Sequence, residues 1–238
     1  MKLALIGYGK MGKAIHEIAA QRGHEVVLII DLENAADLTP ENLKKAEVVI
    51  EFTTPHTAFS NVNTCLQQGV PVVCGSTGWL QQLDEAKQVA EQHHTGLIVA
   101  SNFSVGVNIF FEINKRLAQL MRYHAGYDVQ LTEIHHTQKK DAPSGTAISL
   151  AEQILEAIPR KQNWVNRPAA AENELSILSE RIDPAPGTHT VSYSSAIDTI
   201  EITHTAHNRT GFALGAVLAA EFLKGKTGFF GMKEVLNL

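Results

Sequence analysis

The stretch EIHHTQKKDAPSGTA, from Glu133 to Ala147, places two adjacent histidines, two lysines and an aspartate directly ahead of a helix start. Imidazole is the side chain that holds or gives up a proton near neutral pH. Pro143 suits the first position of a helix, because the N–H it lacks would have no partner there. With Asp141 or Ala142 as the cap, Ser144, Gly145 and Thr146 fall in the first turn, where free N–H groups receive an anion. His135, His136 and Lys139 would then bring a proton donor and an ammonium to a bound carboxylate. That spacing suits proton transfer to a small anionic substrate. A solvated, charged edge accounts for the same residue types, so the stretch needs support from elsewhere. Adjacent histidines project to opposite sides of a strand, and no Cys/His/Asp set has zinc-site spacing, so no metal is expected. Ser144 lacks the glycine pattern of a nucleophile elbow.

A second stretch, GYGKMG, follows an apolar run and opens a helical pattern. Gly7 permits a tight turn, Gly9 a close approach of backbone to a pyrophosphate, and Gly12 close packing of helix on sheet. The phosphates would lie over the helix N-terminus. Glycines also occur in turns that bind nothing. The support here is Asp31, which ends the second apolar run about twenty residues past Gly12, where an acid grips the adenosine ribose. Leu32 and Glu33 follow it, with no cation for a 2′-phosphate, so NADH is expected over NADPH; Lys10 and Lys13 are the residues that could reverse this. The loops FTTP (52–55) and GSTG (75–78) also follow strand ends. Either they contact the nicotinamide or they are ordinary turns.

These residues need elements to hold them. KLALI, VVLII, VVIEF, PVVC and LIVA are short aliphatic runs, suited to strands buried on both faces. Helical patterns lie between them near 11–22, 57–68 and 80–93. The alternation predicts a Rossmann-type parallel sheet with right-handed crossovers. A long amphipathic helix is expected over 106–123, a half-buried strand over 128–134, and a helix from Pro143 to about Ala157. Residues 159–174 read as loop. ELSILSERI, THTVSYSS and DTIEITHTA read as strands of a mixed sheet. The fold class is therefore α/β, a parallel-sheet domain over 1–104 followed by an α+β domain over 105–209, with helices in 210–238 packing back on the first.

The 238 residues carry a net charge of −5, which gives no footprint for nucleic acid or an anionic membrane. The N-terminus has neither the apolar length nor the cleavage site of a signal peptide, and no segment is long enough to span a bilayer. Cys65 and Cys74 are expected to be reduced structural thiols of a cytoplasmic protein.

In order along the chain, GSTG (75–78), SNFSVGVN (101–108), EIHHTQKKDAPSGTA and the end GFFGMKEVLNL resemble the 4-hydroxy-tetrahydrodipicolinate reductase (dihydrodipicolinate reductase) family of lysine and diaminopimelate synthesis. The third segment matches the family pattern E-[LI]-H-H-x-x-K-x-D-A-P-S-G-T-A. The resemblance implies hydride transfer from a nicotinamide cofactor to a cyclic conjugated imine carrying two carboxylates. It makes His135 the proton donor and Lys139 its partner. It assigns His136, Ser144, Gly145, Thr146 and Arg209 to the substrate. Gly7, Tyr8, Gly9, Lys10, Met11, Gly12, Asp31, Gly75, Ser76, Thr77, Ala100, Ser101, Asn102 and Phe103 correspond to cofactor contacts. A homotetramer built through the second domain is implied too. Two departures bear on the cofactor: the chain is short between Asp31 and Glu47, and Leu32 stands where the family often has a basic residue. An amino-acid dehydrogenase would explain the glycines but not the HHxxK…SGT set. A silent NADH sensor would need neither His135 nor Lys139.

Overall fold

The computed structural model describes residues 1–238 as two compact units. One comprises Met1–Val105 with Arg209–Leu238, the other Gly106–Asn208. The elements run β1 (Lys2–Ile6), α1 (Lys10–Gln21), β2 (Glu25–Ile30), α2 (Pro40–Leu43), β3 (Val48–Glu51), α3 (Ala58–Gln67), β4 (Val72–Cys74), α4 (Leu83–Gln92) and β5 (Gly96–Val99). They continue with α5 (Val105–Met121), β6 (Asp128–His135), α6 (Gly145–Ala157), β7 (Asn163–Val165), β8 (Glu174–Arg181), β9 (Gly187–Ser194) and β10 (Thr199–Ala206). The last are α7 (Thr210–Leu223), β11 (Gly228–Phe230) and α8 (Met232–Leu236).

The first unit is built on a six-stranded sheet in the order β11-β5-β4-β3-β1-β2, parallel throughout. Alternate residues of its strands bury on opposite faces. Leu3, Leu5, Val48 and Ile50 join α1 (Ile15, Ala19) and α7 (Ala213, Ala216, Val217, Ala220). Ala4, Ile6, Val49 and Val72 join α3 and α4. This two-sided burial is why the strands read as unbroken aliphatic runs. α7 packs tightly because Gly215 meets the Phe103 carbonyl; a Cβ there would lie 1.7 Å from that oxygen. The strand order reverses between β1 and β3, and an open α/β sheet offers its ligand crevice at such a point.

The second unit has a mixed sheet in the order β10-β9-β6-β8-β7. β6 pairs antiparallel with β9 and parallel with β8. Its inner face packs Val129, Leu131, Ile177, Val191 and Tyr193 against α5 and α6. Asn114 of α5 is fully buried and its amide bonds to Leu150 O and Gln153, fastening the two helices together. The outer face carries hydroxyls, with Thr190 and Thr203 paired at 3.0 Å and Ser194 and Thr199 at 2.8 Å.

Three local readings change. α6 begins at Gly145 with Ser144 as its cap, two residues later than Pro143 would have it. The stretch read as loop contains β7, which pairs with β8. β11, in a segment read as helix and glycine, is the sixth strand of the parallel sheet. Both strands are three residues long, too short to show a period.

Candidate active site

In the first unit the glycines sit at the reversal of strand order. Gly7 has φ +92°, and a Cβ on it would lie 2.1 Å from Phe52 O, so β1 and the loop after β3 meet backbone to backbone. A Cβ on Gly12 would lie 2.1 Å from Gly7 O, whereas one on Gly9 meets nothing within 4 Å. Gly7 and Gly12 thus set the turn, and Gly9 leaves it open. Gly9 caps α1 without a side chain, so the first N–H groups of the helix face that opening, with Lys10 and Met11 starting the helix. Tyr8 points its hydroxyl at His16 Nδ1, 2.6 Å away.

A cleft of about 270 Å³ lies here, lined by Gly7, Tyr8, Gly9, Asp31, Leu32 and Thr53 among others, with no Lys or Arg in its lining. Asp31 caps the short turn that follows β2: its side chain accepts the Leu32 N–H at 2.9 Å, and the Asn34 side chain accepts the Asp31 N–H at 2.7 Å. Below the cleft, Glu51 is fully buried at the end of β3. It accepts the Thr53 hydroxyl, the Thr53 N–H at 3.1 Å and the Cys74 thiol at 3.0 Å. Burial, then the Glu51 charge, raises the Cys74 thiol far out of its reactive range. Ser76 is buried and its Oγ also accepts the Thr53 N–H, at 2.7 Å. The FTTP and GSTG loops are therefore tied to each other. Gly75 packs on the Phe52 ring, and Thr77 is exposed. Ala100 donates its N–H to Cys74 O, Ser101 is exposed, and Asn102 accepts the Ser104 N–H. Phe103 buries its ring against Phe52 at 5.6 Å. Arg209, exposed, precedes α7 in this same unit.

In the second unit, Glu133 and His135 project to the same buried face of β6, two residues apart. The sheet register sets His189 of β9 opposite Glu133, and Arg181 of β8 opposite His135. Glu133 is fully buried and His135 is 7% exposed. His135 Nδ1 lies 3.4 Å from Glu133 Oε2, at ion-pair distance, with no aligned hydrogen bond in this conformation. The Glu133 oxygens both accept the Ser144 N–H at 3.1 Å, and one meets Arg181 at 3.2 Å. Burial works to raise the Glu133 carboxyl, but the His135 ring and the Ser144 donors outweigh it and hold it well below the usual carboxylate range. Glu133, His135 and His189 bring three metal-competent groups within 4.8 Å of one another. Arg181 and the Ser144 N–H already engage the one carboxylate among them.

The remaining sequence candidates follow β6. His136 is half-buried, and its carbonyl accepts the Lys139 N–H. The Lys139 ammonium bonds both oxygens of Asp141, at 2.9 and 2.8 Å. Lys140 is exposed. Ser144 Oγ accepts the Ala147 N–H as the helix cap and meets His189 Nε2 at 3.1 Å. Its N–H is taken by Glu133; Gly145, exposed and without a Cβ, and Thr146 follow as the first residues of α6. Glu133, Arg181 and His189 carried no role in the sequence reading. The i, i+2 spacing of Glu133 and His135 was visible; Arg181 and His189 reach the cluster only through sheet register.

Burial, then the charge of His135, lowers the His189 pKa from 6.5 to about 4, so the ring is neutral in the folded protein at neutral pH. A base with a depressed folded-state pKa stabilises the fold fully above its unfolded value and loses that contribution as pH falls. Stability is therefore expected to drop between pH 6.5 and about 4. A His189→Gln variant should flatten that part of a Tm-against-pH curve; an unchanged slope would refute the assignment.

Two family models match the chain: dihydrodipicolinate reductase, N-terminus, over residues 1–103, and dihydrodipicolinate reductase, C-terminus, over residues 106–236. A 4-hydroxy-tetrahydrodipicolinate reductase of Christiangramia forsetii is 50% identical over 239 aligned positions, covering 100% of this chain and 98% of the relative. One from Methanosarcina barkeri is 37% identical over 226, covering 92% of this chain and 83% of the relative. The solved structure of a dipicolinate-bound dihydrodipicolinate reductase from Paenisporosarcina sp. TG-14 superposes with a TM-score of 0.78 at 27% identity, covering 98% of each chain. An engineered D-amino acid dehydrogenase bound to NADP+ shares the fold alone, with a TM-score of 0.56 at 15% identity over 99% of this chain and 95% of that one. Matched along both segments and half identical to a full-length relative, the chain belongs to the dihydrodipicolinate reductase family.

Proposed function

We propose that this chain reduces 4-hydroxy-tetrahydrodipicolinate to tetrahydrodipicolinate in lysine and diaminopimelate biosynthesis, with NADH as the preferred hydride donor. Family membership supports the reaction class, and the relatives' names support the substrate. The observation that carries the assignment to residues is the His135 imidazole held beside buried Glu133, on the strand that leads into the start of α6. Substrate, NADH and a proton give product, NAD+ and water. The nicotinamide, when bound, supplies the hydride. His135 supplies the proton to the position that gains electron density, and Lys139 places a cation beside the charge that develops. His136 and the Gly145 and Thr146 N–H groups hold the substrate, with Ser144 as the cap that shapes the turn. Arg209 offers a guanidinium suited to a carboxylate.

In this reading Met1–Val105 with Arg209–Leu238 holds the cofactor through Gly7–Gly12, Asp31, the GSTG loop and Ala100–Phe103, and Gly106–Asn208 holds the substrate. The second unit also builds a homotetramer. The open edge of β10 and its exposed Thr199, Glu201 and Thr203 support self-association, which the mass in solution tests. No helix is long and apolar enough to cross a membrane, and the buried free thiols Cys65 and Cys74 suit a reducing cytoplasm.

The test of the reaction is NADH oxidation on adding the enzymatic condensation product of pyruvate and aspartate semialdehyde; no oxidation with either cofactor would refute it. The preference follows from Asp31 and the cation-free cleft. Like-charge juxtaposition costs several kcal/mol, so kcat/KM for NADH should exceed that for NADPH by about tenfold or more. A ratio favouring NADPH would overturn the preference and leave the reaction standing.

A further inference from the structure

We propose that Glu133 is a positioning residue for the proton-transfer step: its carboxylate fixes His135 with Nδ1–H toward Glu133, so that Nε2 is the nitrogen that carries and delivers the proton. This rests on His135 being the donor.

Four observations support it. Glu133 is fully buried, and a buried carboxylate is a poor source of stability compared with an apolar residue. His135 Nδ1 is buried with no aligned hydrogen-bond partner, and Glu133 Oε2 at 3.4 Å is the acceptor within reach. On the other side of the ring, Nε2 faces Gly187, where a Cβ would lie only 3.0 Å away. A glycine keeps the space beside Nε2 clear. Finally, Glu133 binds the surroundings of the acid into one frame. It accepts the Ser144 N–H, the last residue before α6, and it pairs with Arg181, which donates to Asp141 O at 2.6 Å and to Lys139 O at 3.3 Å. The proton donor, the start of the substrate helix and the backbone of the lysine loop thus share one anion.

The charged and titratable groups facing His135 are Glu133 on its own strand, Arg181 on β8, His189 on β9, His204 next to His189 on β10, and Lys139 with Asp141 in the loop before α6. Of these, Glu133 is the acid in direct contact with the ring. The proton balance is simple. Imidazolium loses its Nε2 proton to the substrate as hydride arrives from the nicotinamide, and the neutral ring left behind is the Nδ1–H tautomer, stabilised by Glu133. Solvent then restores the proton at Nε2.

The test compares wild type, His135→Ala, Glu133→Gln and Glu133→Asp for kcat, NADH dissociation constant and kcat-against-pH. Glu133→Gln is expected to lower kcat at least about tenfold with NADH affinity unchanged, and to move the limb of the kcat-against-pH profile that reports loss of the donor proton to lower pH, because the anion beside the ring is gone. Glu133→Asp keeps the charge, so its limb should stay near the wild-type position while kcat falls. Wild-type kcat with an unshifted limb in Glu133→Gln would overturn the proposal. If that variant fails to fold, wild-type kcat in Glu133→Asp would do so. Full turnover in His135→Ala would instead remove the donor assignment beneath it, so the two failures are distinguishable.

Discussion

Replacing His135 with alanine is expected to lower kcat by about 10²- to 10⁴-fold, the usual worth of a positioned general acid. The NADH dissociation constant should stay close to the wild-type value, because the glycine turn and Asp31 lie in the other compact unit. The fold should survive, since Glu133 keeps Arg181 and the Ser144 N–H when the ring is gone, so its charge is not left uncompensated. Lys139→Ala should also lower kcat, with a smaller effect on stability, because its Asp141 partner is mostly exposed and such pairs contribute little. Steady-state kcat, cofactor titration by fluorescence and thermal melting together check this. A His135→Ala enzyme with full turnover would end the assignment.

The second large effect concerns the glycines, which the geometry separates into two kinds. Gly9→Ala should cost much less stability than Gly12→Ala, no more than the small loss expected on placing alanine at a helix cap, since its Cβ meets nothing within 4 Å and its φ of −74° is not left-handed. It should nevertheless raise the NADH dissociation constant at least about tenfold, because the methyl group occupies the space where a pyrophosphate must approach. Gly12→Ala should lower both stability and affinity. Its Cβ would lie 2.1 Å from Gly7 O, so α1 must move off the turn, and overpacking of this kind costs about 1–3 kcal/mol. Equal losses of stability in the two variants would refute this division of roles.

Much of this was legible in the chain before folding. Five aliphatic runs gave the strands of the parallel sheet, because burial on both faces leaves no alternation to misread. The glycine turn and Asp31 were legible because spacing alone defines them. His135 and Lys139 stood out through their motif. The start of α6 was misplaced because Pro143 suits a helix start, while Ser144, the better side-chain cap, stood beside it. The role of Glu133 is not legible in the chain, because its partners are decided by register: His189 and Arg181 lie on the two strands that flank β6, far along the sequence. Glu51 was hidden for a different reason. Nothing in VVIEF says that its carboxylate turns inward to receive a thiol and a threonine hydroxyl.

The first unit is closed only by Arg209–Leu238. On the ribosome this imposes an order of birth. β1 to β5 emerge early, but the sheet face bearing Leu3, Leu5, Val48 and Ile50 waits for α7, and the β5 edge waits for β11. The whole of Gly106–Asn208 is made in between, a delay of roughly 5–20 s at ordinary elongation rates. During that interval α1 covers only part of that face, so the nascent chain carries an incompletely covered apolar surface and an open strand edge, while the later-made unit can finish folding first. The protein is thus completed in the reverse of the order in which it is read, and the newborn chain, not the finished molecule, is where aggregation or chaperone capture would act.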